Sequence, residues 1–322
     1  MKASIHQKYG PPDVMELREV DKPFPKDDEV LVKVHATTAT SGDCKVRRAD
    51  PFAVRLFYGM KKPKVGILGS ELSGEVEAIG KNVKQFKVGD FVFCGTGGNL
   101  GANAEYVCLQ EKSAISLKPF NMTFEEAASV PFGATTSLFF LRDKGHIKPG
   151  QKVLIYGASG ALGTYAVQLA KSFGTEVTAV CGPKNLELVK SLGADFVVDY
   201  MKEDFTKNEK TYDLIFDTVG KTSFIKCKNS LKENGIFLAA VAGVPQFARM
   251  MSSSMSRSKK LKGGVASMKK ADLLFLKELI EEGKIRSVID RRYPLDQVAA
   301  AHKYVETGHK HGSVVITMIP QI

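Results

Sequence analysis

Three glycines, Gly157, Gly160 and Gly163, punctuate "VLIYGASGALGTYAVQLAKSFG", between an apolar run and a segment whose apolar residues recur at helical spacing. A strand, a glycine turn and a helix in that order are what a phosphate-binding loop requires. Glycines let the backbone approach a charged ligand, and the helix N-terminus offers it unpaired N–H groups and the positive end of a dipole. The G-x-x-G-x-x-G spacing departs from the commoner G-x-G-x-x-G by setting Ala158 and Ser159 in the turn. Gly157, Ala158, Ser159, Gly160, Ala161, Leu162 and Gly163 are therefore the candidates to hold a dinucleotide pyrophosphate. A merely tight strand-to-helix turn is the competing reading.

The end of the next strand discriminates between dinucleotides. Sites that take NAD place Asp or Glu about 20 residues beyond the loop, on the ribose 2′-hydroxyl. Here "EVTAVCGPKN" ends on Cys181 and Gly182, with Lys184 behind them and no carboxylate to repel a 2′-phosphate. Lys184, with Tyr200 after the following strand, can hold that phosphate, so NADPH is expected over NADH. A solvated lysine at a helix start is the plainer account of Lys184.

A second stretch, "GSELSGEVEAIG" from Gly69 to Gly80, sets Glu71 among small residues ahead of an alternating strand. Glu71 is either a catalytic or metal-binding acid or a holder of the local backbone. Five cysteines, Cys44, Cys94, Cys108, Cys181 and Cys227, are odd in number and never in C-x-x-C spacing, and read as reduced, packed thiols. His35, His302, His309 and His311 lack a Ser or Cys partner in any recognisable triad motif and read as structural or surface residues.

The elements that must position these groups fall into two sets. The first 120 residues read as strands, with "EVLVKVHATT", "LSGEVEAIG", "KVGDFVFCGT" and "AEYVCL" separated by Gly, Asp and Pro turns. From about Asn121 strands alternate with helices. "KVLIY", "EVTAVC", "FVVDY", "YDLIFDTV" and "GIFLAAV" are five buried strands, and Ala166, Leu169, Ala170 and Phe173 form one apolar helical stripe. That alternation implies an α/β doubly wound parallel sheet. Helices around "ADLLFLKELIEEG" and "LDQVAAAHKYVETG" and a strand "SVVITMI" close the chain, the strand returning to the first domain.

At 322 residues, with 43% hydrophobic and 25% charged residues, the chain suits two folded domains. No apolar run reaches the roughly 18 residues of a membrane span, and "MKASIHQKYG" has no signal-peptide core, so a cytoplasmic protein with no membrane partner is expected. The net charge of +11 suits nucleic acid, a membrane surface or a polyanionic small molecule, but only "SRSKKLKGG", Ser256 to Gly264, looks like a basic patch. It has no interleaved aromatics and reads as a solvated loop, so nucleic-acid binding is disfavoured.

In order along the chain, "GSELSGEVEAIGKNVKQFKVGD", "AEYV", "FEEAASVPFGATTSLFFL", "KPGQKVLIYGASGALGTYAVQLAKSFG", "LGADFVVDY" and "YDLIFDTVG" resemble the medium-chain dehydrogenase/reductase superfamily, in its zinc-independent, zeta-crystallin-like quinone oxidoreductase branch. The resemblance implies a GroES-like β-rich domain over 1–122 and 266–322, a Rossmann domain over 123–265, a cleft between them and a homodimer. It also implies that Thr136, Val219, Val241, Ala242, Gly243 and Lys310 come near the cofactor. Thr40, Ser70 and Phe132 stand where zinc-dependent relatives carry their Cys, His and Cys ligands. Hydroxyls and a phenyl ring do not replace those donors, and "CGTGGNLGANAEYVC" is too short for a structural zinc lobe, so no metal is expected. With that ligand set lost, Glu71 reads as a structural residue, pairing with a cation or backbone N–H groups.

A metal-free site favours acceptors that spread incoming charge over a conjugated system. NADPH-dependent quinone reduction is the expected activity, with enone or alkenal double-bond reduction as the alternative. A cofactor-binding sensor or structural protein without turnover is the alternative of another class. Thr40, Asp43 and Tyr58 are the candidates on the acceptor side. Asp43 serves equally as a turn carboxylate, and Tyr58 as packing.

Overall fold

Residues 1–241 and 258–318 are described by the computed structural model. They divide into two compact units, one of Met1–Phe132, Met268–Gly283 and Ser287–Ile322, the other of Gly133–Ser267 and Lys284–Arg286.

In the first unit the β-branched strand Glu29–Thr38 is central, pairing antiparallel with Glu71–Ile79, Tyr106–Gln110 and Ser313–Thr317. The sheet continues from Glu71–Ile79 through Phe91–Gly95 to Ile115–Leu117, and from Ser313–Thr317 to Ile289–Pro294. Val30, Val32 and Val34 point with Leu72, Val76, Val92 and Ile115 into one core. Gly74 is required by the sheet itself, because a Cβ there would stand 2.1 Å from the Lys33 carbonyl oxygen. A second core joins Val14, Met15 and Leu68 to Val298, Ala301 and Val305 of the helix Val298–Glu306.

The strand-only reading of the first 120 residues missed two helices, Ser41–Arg48 and Val54–Tyr58. The first is set by a capping box, in which the Thr40 hydroxyl accepts from the Asp43 N–H while the Asp43 carboxylate accepts from the Thr40 N–H. The helix Phe124–Ala128, grouped by sequence with the second domain, packs on Glu29–Thr38 and Glu71–Ile79. Its Phe124 ring stacks on His35 at 4.1 Å.

The second unit holds six parallel strands, in the order Phe196–Asp199, Glu176–Cys181, Lys152–Tyr156, Tyr212–Asp217, Leu231–Ala239 and Lys260–Gly263. In chain order this is 3-2-1-4-5-6, the doubly wound dinucleotide-binding topology, whose switch point lies between Lys152–Tyr156 and Tyr212–Asp217. The sixth strand corrects the reading of "SRSKKLKGG" as a solvated loop. Leu261, alone among lysines, is buried in the core, and the lysines flank it on an edge strand, where charge discourages further pairing. Ala166, Leu169 and Ala170 of the helix Ala161–Ser172 are wholly buried.

Candidate functional site

The glycine loop follows the strand Lys152–Tyr156 at the switch point. Gly157 has φ of +79°, and a Cβ there would lie 2.7 Å from Val219 Cγ1 and 2.8 Å from Thr218 Oγ1. A Cβ on Gly163 would fall 2.1 Å from the Gly157 carbonyl oxygen, so the helix can begin this close to the loop only with glycine. Gly160 differs: a Cβ there meets nothing nearer than 3.5 Å. It caps the helix Ala161–Ser172 with extended backbone and no side-chain cap, which leaves the first-turn amides of Ala161, Leu162 and Gly163 for an anion. The loop thus fits a pyrophosphate by backbone geometry and by helix dipole.

Three further residues shape the loop that sequence reasoning missed. The Thr218 hydroxyl lies 2.9 Å from the Tyr156 carbonyl and 3.2 Å from that of Gly157. The buried Asp217 carboxylate accepts from the N–H groups of Val219, Gly220 and Thr222 at 3.0, 2.8 and 3.1 Å. Burial raises its pKa, and these amides pull it back. Asn185 Nδ2 donates to Ser159 Oγ at 3.2 Å. The signal for the first two was in "DTVG", an Asp-Thr pair at the end of a buried strand.

Val219 packs toward Gly157, and Val241 lies against Gly220, where a Cβ would meet the Val241 Cβ at 3.1 Å. Ala242 and Gly243 lie outside the described residues. Thr136 is half-buried on the helix Val130–Leu138, next to Ser137, whose hydroxyl sits 2.9 Å from both the Gly133 and Leu162 carbonyls.

The strand Glu176–Cys181 ends without a carboxylate. Gly182 follows, and a Cβ there would lie 3.4 Å from the Tyr200 hydroxyl, so Gly182 and Tyr200 share one corner. Lys184 is exposed in the short turn Pro183–Asn185 beside it. Asp199, in register with Cys181 one strand over, is buried and accepts from its own turn at the Met201 N–H, 3.0 Å away.

In the first unit, Thr40, Ser70 and Phe132 converge although Thr40 and Phe132 lie 92 positions apart in the chain, 132 minus 40. Asp43 Oδ2 accepts from the Thr40 hydroxyl at 2.6 Å and the Ser70 hydroxyl at 3.4 Å. A Cβ on Gly42 would stand 3.3 Å from Thr40 Oγ1 and 3.6 Å from Phe132 Cζ. Below them Glu71 accepts from the Thr38 hydroxyl at 2.5 Å and from the Phe132 N–H at 2.6 Å. Glu71 therefore ties two strands and a helix start together. Burial pushes its carboxyl up to about 8, against those two donors, and pushes Asp43 up to about 6. Tyr58 is half-buried, its phenol raised by burial and by the Asp43 charge. Lys310 is also half-buried here, donating to the Gly312 carbonyl at 2.7 Å. Burial lowers it to about 8 while Asp290 and Glu71 pull the other way. Of the histidines, His302 is wholly buried with Nδ1 3.4 Å from Cys44 Sγ. Among the described residues, no three His, Cys, Asp or Glu side chains are placed to hold a metal ion.

Residues 26–119 match the family model for the alcohol dehydrogenase GroES-like domain, and residues 192–316 that for zinc-binding dehydrogenase. The chain is 32% identical, over 99% of its length and 80% of the relative, to the chloroplastic NADPH-dependent alkenal/one oxidoreductase of Arabidopsis thaliana. It is 33% identical to the chloroplast envelope quinone oxidoreductase homolog of the same plant, over 92% of each chain. The solved quinone oxidoreductase of Coxiella burnetii superposes with a TM-score of 0.90 at 30% identity, covering 99% of both chains. This chain belongs to the quinone-oxidoreductase-like medium-chain dehydrogenases/reductases. The zinc-binding dehydrogenase match begins at residue 192, beyond both the glycine loop and the Gly69–Glu71 triplet, so it does not speak to metal ligands. Within this family frame, the positions occupied by Thr40, Ser70 and Phe132 are gathered here around Asp43 and Gly42.

Proposed function

We propose that this reductase passes hydride from NADPH to a quinone or related conjugated carbonyl without a metal ion. The convergence of Thr40, Ser70 and Phe132 carries the reading, because two hydroxyls and a phenyl ring supply hydrogen bonds and packing but no soft ligand for zinc. Of the adjoining carboxylates, Asp43 Oδ2 is engaged in its capping box and Glu71 is committed to Thr38 and Phe132.

NADPH bound at the glycine loop supplies the hydride. The loop amides and the helix Ala161–Ser172 bind its pyrophosphate, Lys184 and Tyr200 its 2′-phosphate, and Thr136, Val219, Val241, Ala242, Gly243 and Lys310 orient its nicotinamide end. On the acceptor side Thr40 hydrogen-bonds the substrate, Asp43 fixes Thr40, and the Tyr58 phenol, held protonated at neutral pH, donates. A quinol oxygen also takes its proton from water, so Tyr58 matters more for an enolate. The first unit, running to Phe132 and resuming at Met268, serves as the acceptor domain and the second as the cofactor domain, in a cytoplasmic homodimer.

The alkenal/one oxidoreductase relative supports double-bond reduction as the second reading. Steady-state NADPH oxidation against quinone and enone panels tests both. Tight NADPH binding without acceptor-dependent oxidation would instead identify a sensor. Zinc in stoichiometric amount in the purified protein would contradict the metal-free reading. Gel filtration and cell fractionation test the dimer and the compartment.

A further inference from the structure

Four large apolar side chains protrude from one short segment of the first unit: Phe52 at 64% exposure, Leu56 at 66%, Phe57 at 78% and Met60 at 51%. Phe52 and Leu56 are four residues apart on a helical turn that runs from Pro51 into the helix Val54–Tyr58. The turn is anchored from below. Tyr58 packs against the core of Val14, Met15 and Leu68, the Tyr9 hydroxyl donates to the Gly59 carbonyl at 2.8 Å, and the Lys64 N–H donates to that of Tyr58 at 2.8 Å. The Arg55 guanidinium lies over the Tyr9 ring at 4.8 Å and the Phe52 ring at 5.4 Å.

Directly after the apolar residues come Lys61, Lys62 and Lys64, all exposed, none with a carboxylate partner among the described residues. The single acid of the stretch, Asp50, already faces Arg48 at 3.5 Å. Protruding aromatic and aliphatic groups rimmed by unpaired lysines match a membrane interface, where apolar groups enter the headgroup boundary and cations meet lipid phosphates. No helix among the described residues is long and apolar enough to cross a membrane, but a surface-lying segment needs none.

We propose that residues 51–64 dock this protein onto an anionic lipid surface, with Phe52, Leu56, Phe57 and Met60 inserted and Lys61, Lys62 and Lys64 on the headgroups. The occupant is lipid because the rim is predominantly cationic, its one acid Asp50 facing Arg48, and the chain carries +11 overall.

The chain has no tryptophan, so Phe57→Trp installs a single reporter. With vesicles of phosphatidylcholine and about one-third phosphatidylserine, its emission shifts to the blue and the protein sediments with the lipid; with phosphatidylcholine alone it does neither. Lys61→Glu/Lys62→Glu and Leu56→Ser/Phe57→Ser each weaken vesicle binding about tenfold or more, and raised salt weakens the native chain. The lysine variant keeps its thermal midpoint and its NADPH oxidation with a water-soluble quinone. Three results overturn the proposal: no binding to anionic vesicles, equal binding by the variants, or Leu56→Ser/Phe57→Ser converting a dimer to a monomer while vesicles are ignored. A raised KM for the soluble quinone in that variant, with no vesicle binding by the native chain, assigns the segment to the acceptor instead and also overturns it.

Discussion

The glycine loop and the Thr40–Ser70–Phe132 cluster are both made by close approach, but of different partners. At the loop, backbone meets backbone within seven consecutive residues, and the requirement is absolute: a Cβ on Gly163 lands 2.1 Å from a carbonyl oxygen. At the cluster, three segments, 38–43, 70–71 and 132, meet through side-chain hydrogen bonds and the Phe132 N–H, and several residue types satisfy the geometry. The first region is rigid in sequence and the second permissive. In the permissive region Asp43 and Glu71 hold the frame through hydrogen bonds to Thr40, Thr38 and Phe132.

The comparison is broken most easily at the loop. Gly163→Val must displace the Gly157 carbonyl, and NADPH affinity is expected to fall by about 100-fold or more, read by fluorescence titration, with the loss traceable to the helix N-terminus. Glu71→Ala strands the Thr38 hydroxyl and the Phe132 N–H, and about 2–4 kcal/mol of stability should go in urea unfolding. Glu71→Gln should cost under about 1 kcal/mol, because a carboxyl raised to about 8 is largely neutral at pH 7 already. NADPH binding should survive both changes at that position.

Smaller effects sharpen the picture. Lys184→Ala should raise the KM for NADPH about tenfold and leave that for NADH alone, as expected for one lost phosphate contact. An unchanged preference would remove Lys184 from the 2′-phosphate. His302 titrates near 6.5 when unfolded but is held to about 3 in the fold by burial, with Arg47 and His6 adding to it. Its folded pKa is lowered, so below pH 6.5 the unfolded chain takes a proton the folded chain refuses. Stability should therefore decline as pH falls from 6.5 toward 3, by up to about 1.4 kcal/mol per pH unit, and His302→Gln should flatten that slope. Gly160→Ala is the mildest change, within about twofold in NADPH affinity, since its Cβ meets nothing inside 3.5 Å.

The same contrast governs what the residues disclosed in advance. The parallel strands and the loop helix were legible because each carries its own periodicity and its own glycines. Asp217, Thr218 and Asn185 were not, because their roles are defined by carbonyls and amides that only the folded loop places near them. The strand Lys260–Gly263 was obscured by its lysines, which belong to the edge and not to a loop. The helix Val54–Tyr58 was hidden for the opposite reason: Leu56 and Phe57 face outward, so the apolar pattern does not report a core.

The most direct test of a metal-free reductase is NADPH oxidation by protein dialysed against a strong chelator, with a naphthoquinone and a simple ketone as acceptors. Undiminished quinone turnover with no ketone turnover is the predicted result. Quinone turnover lost on chelation and restored by zinc, or ketone reduction at a comparable rate, would contradict it.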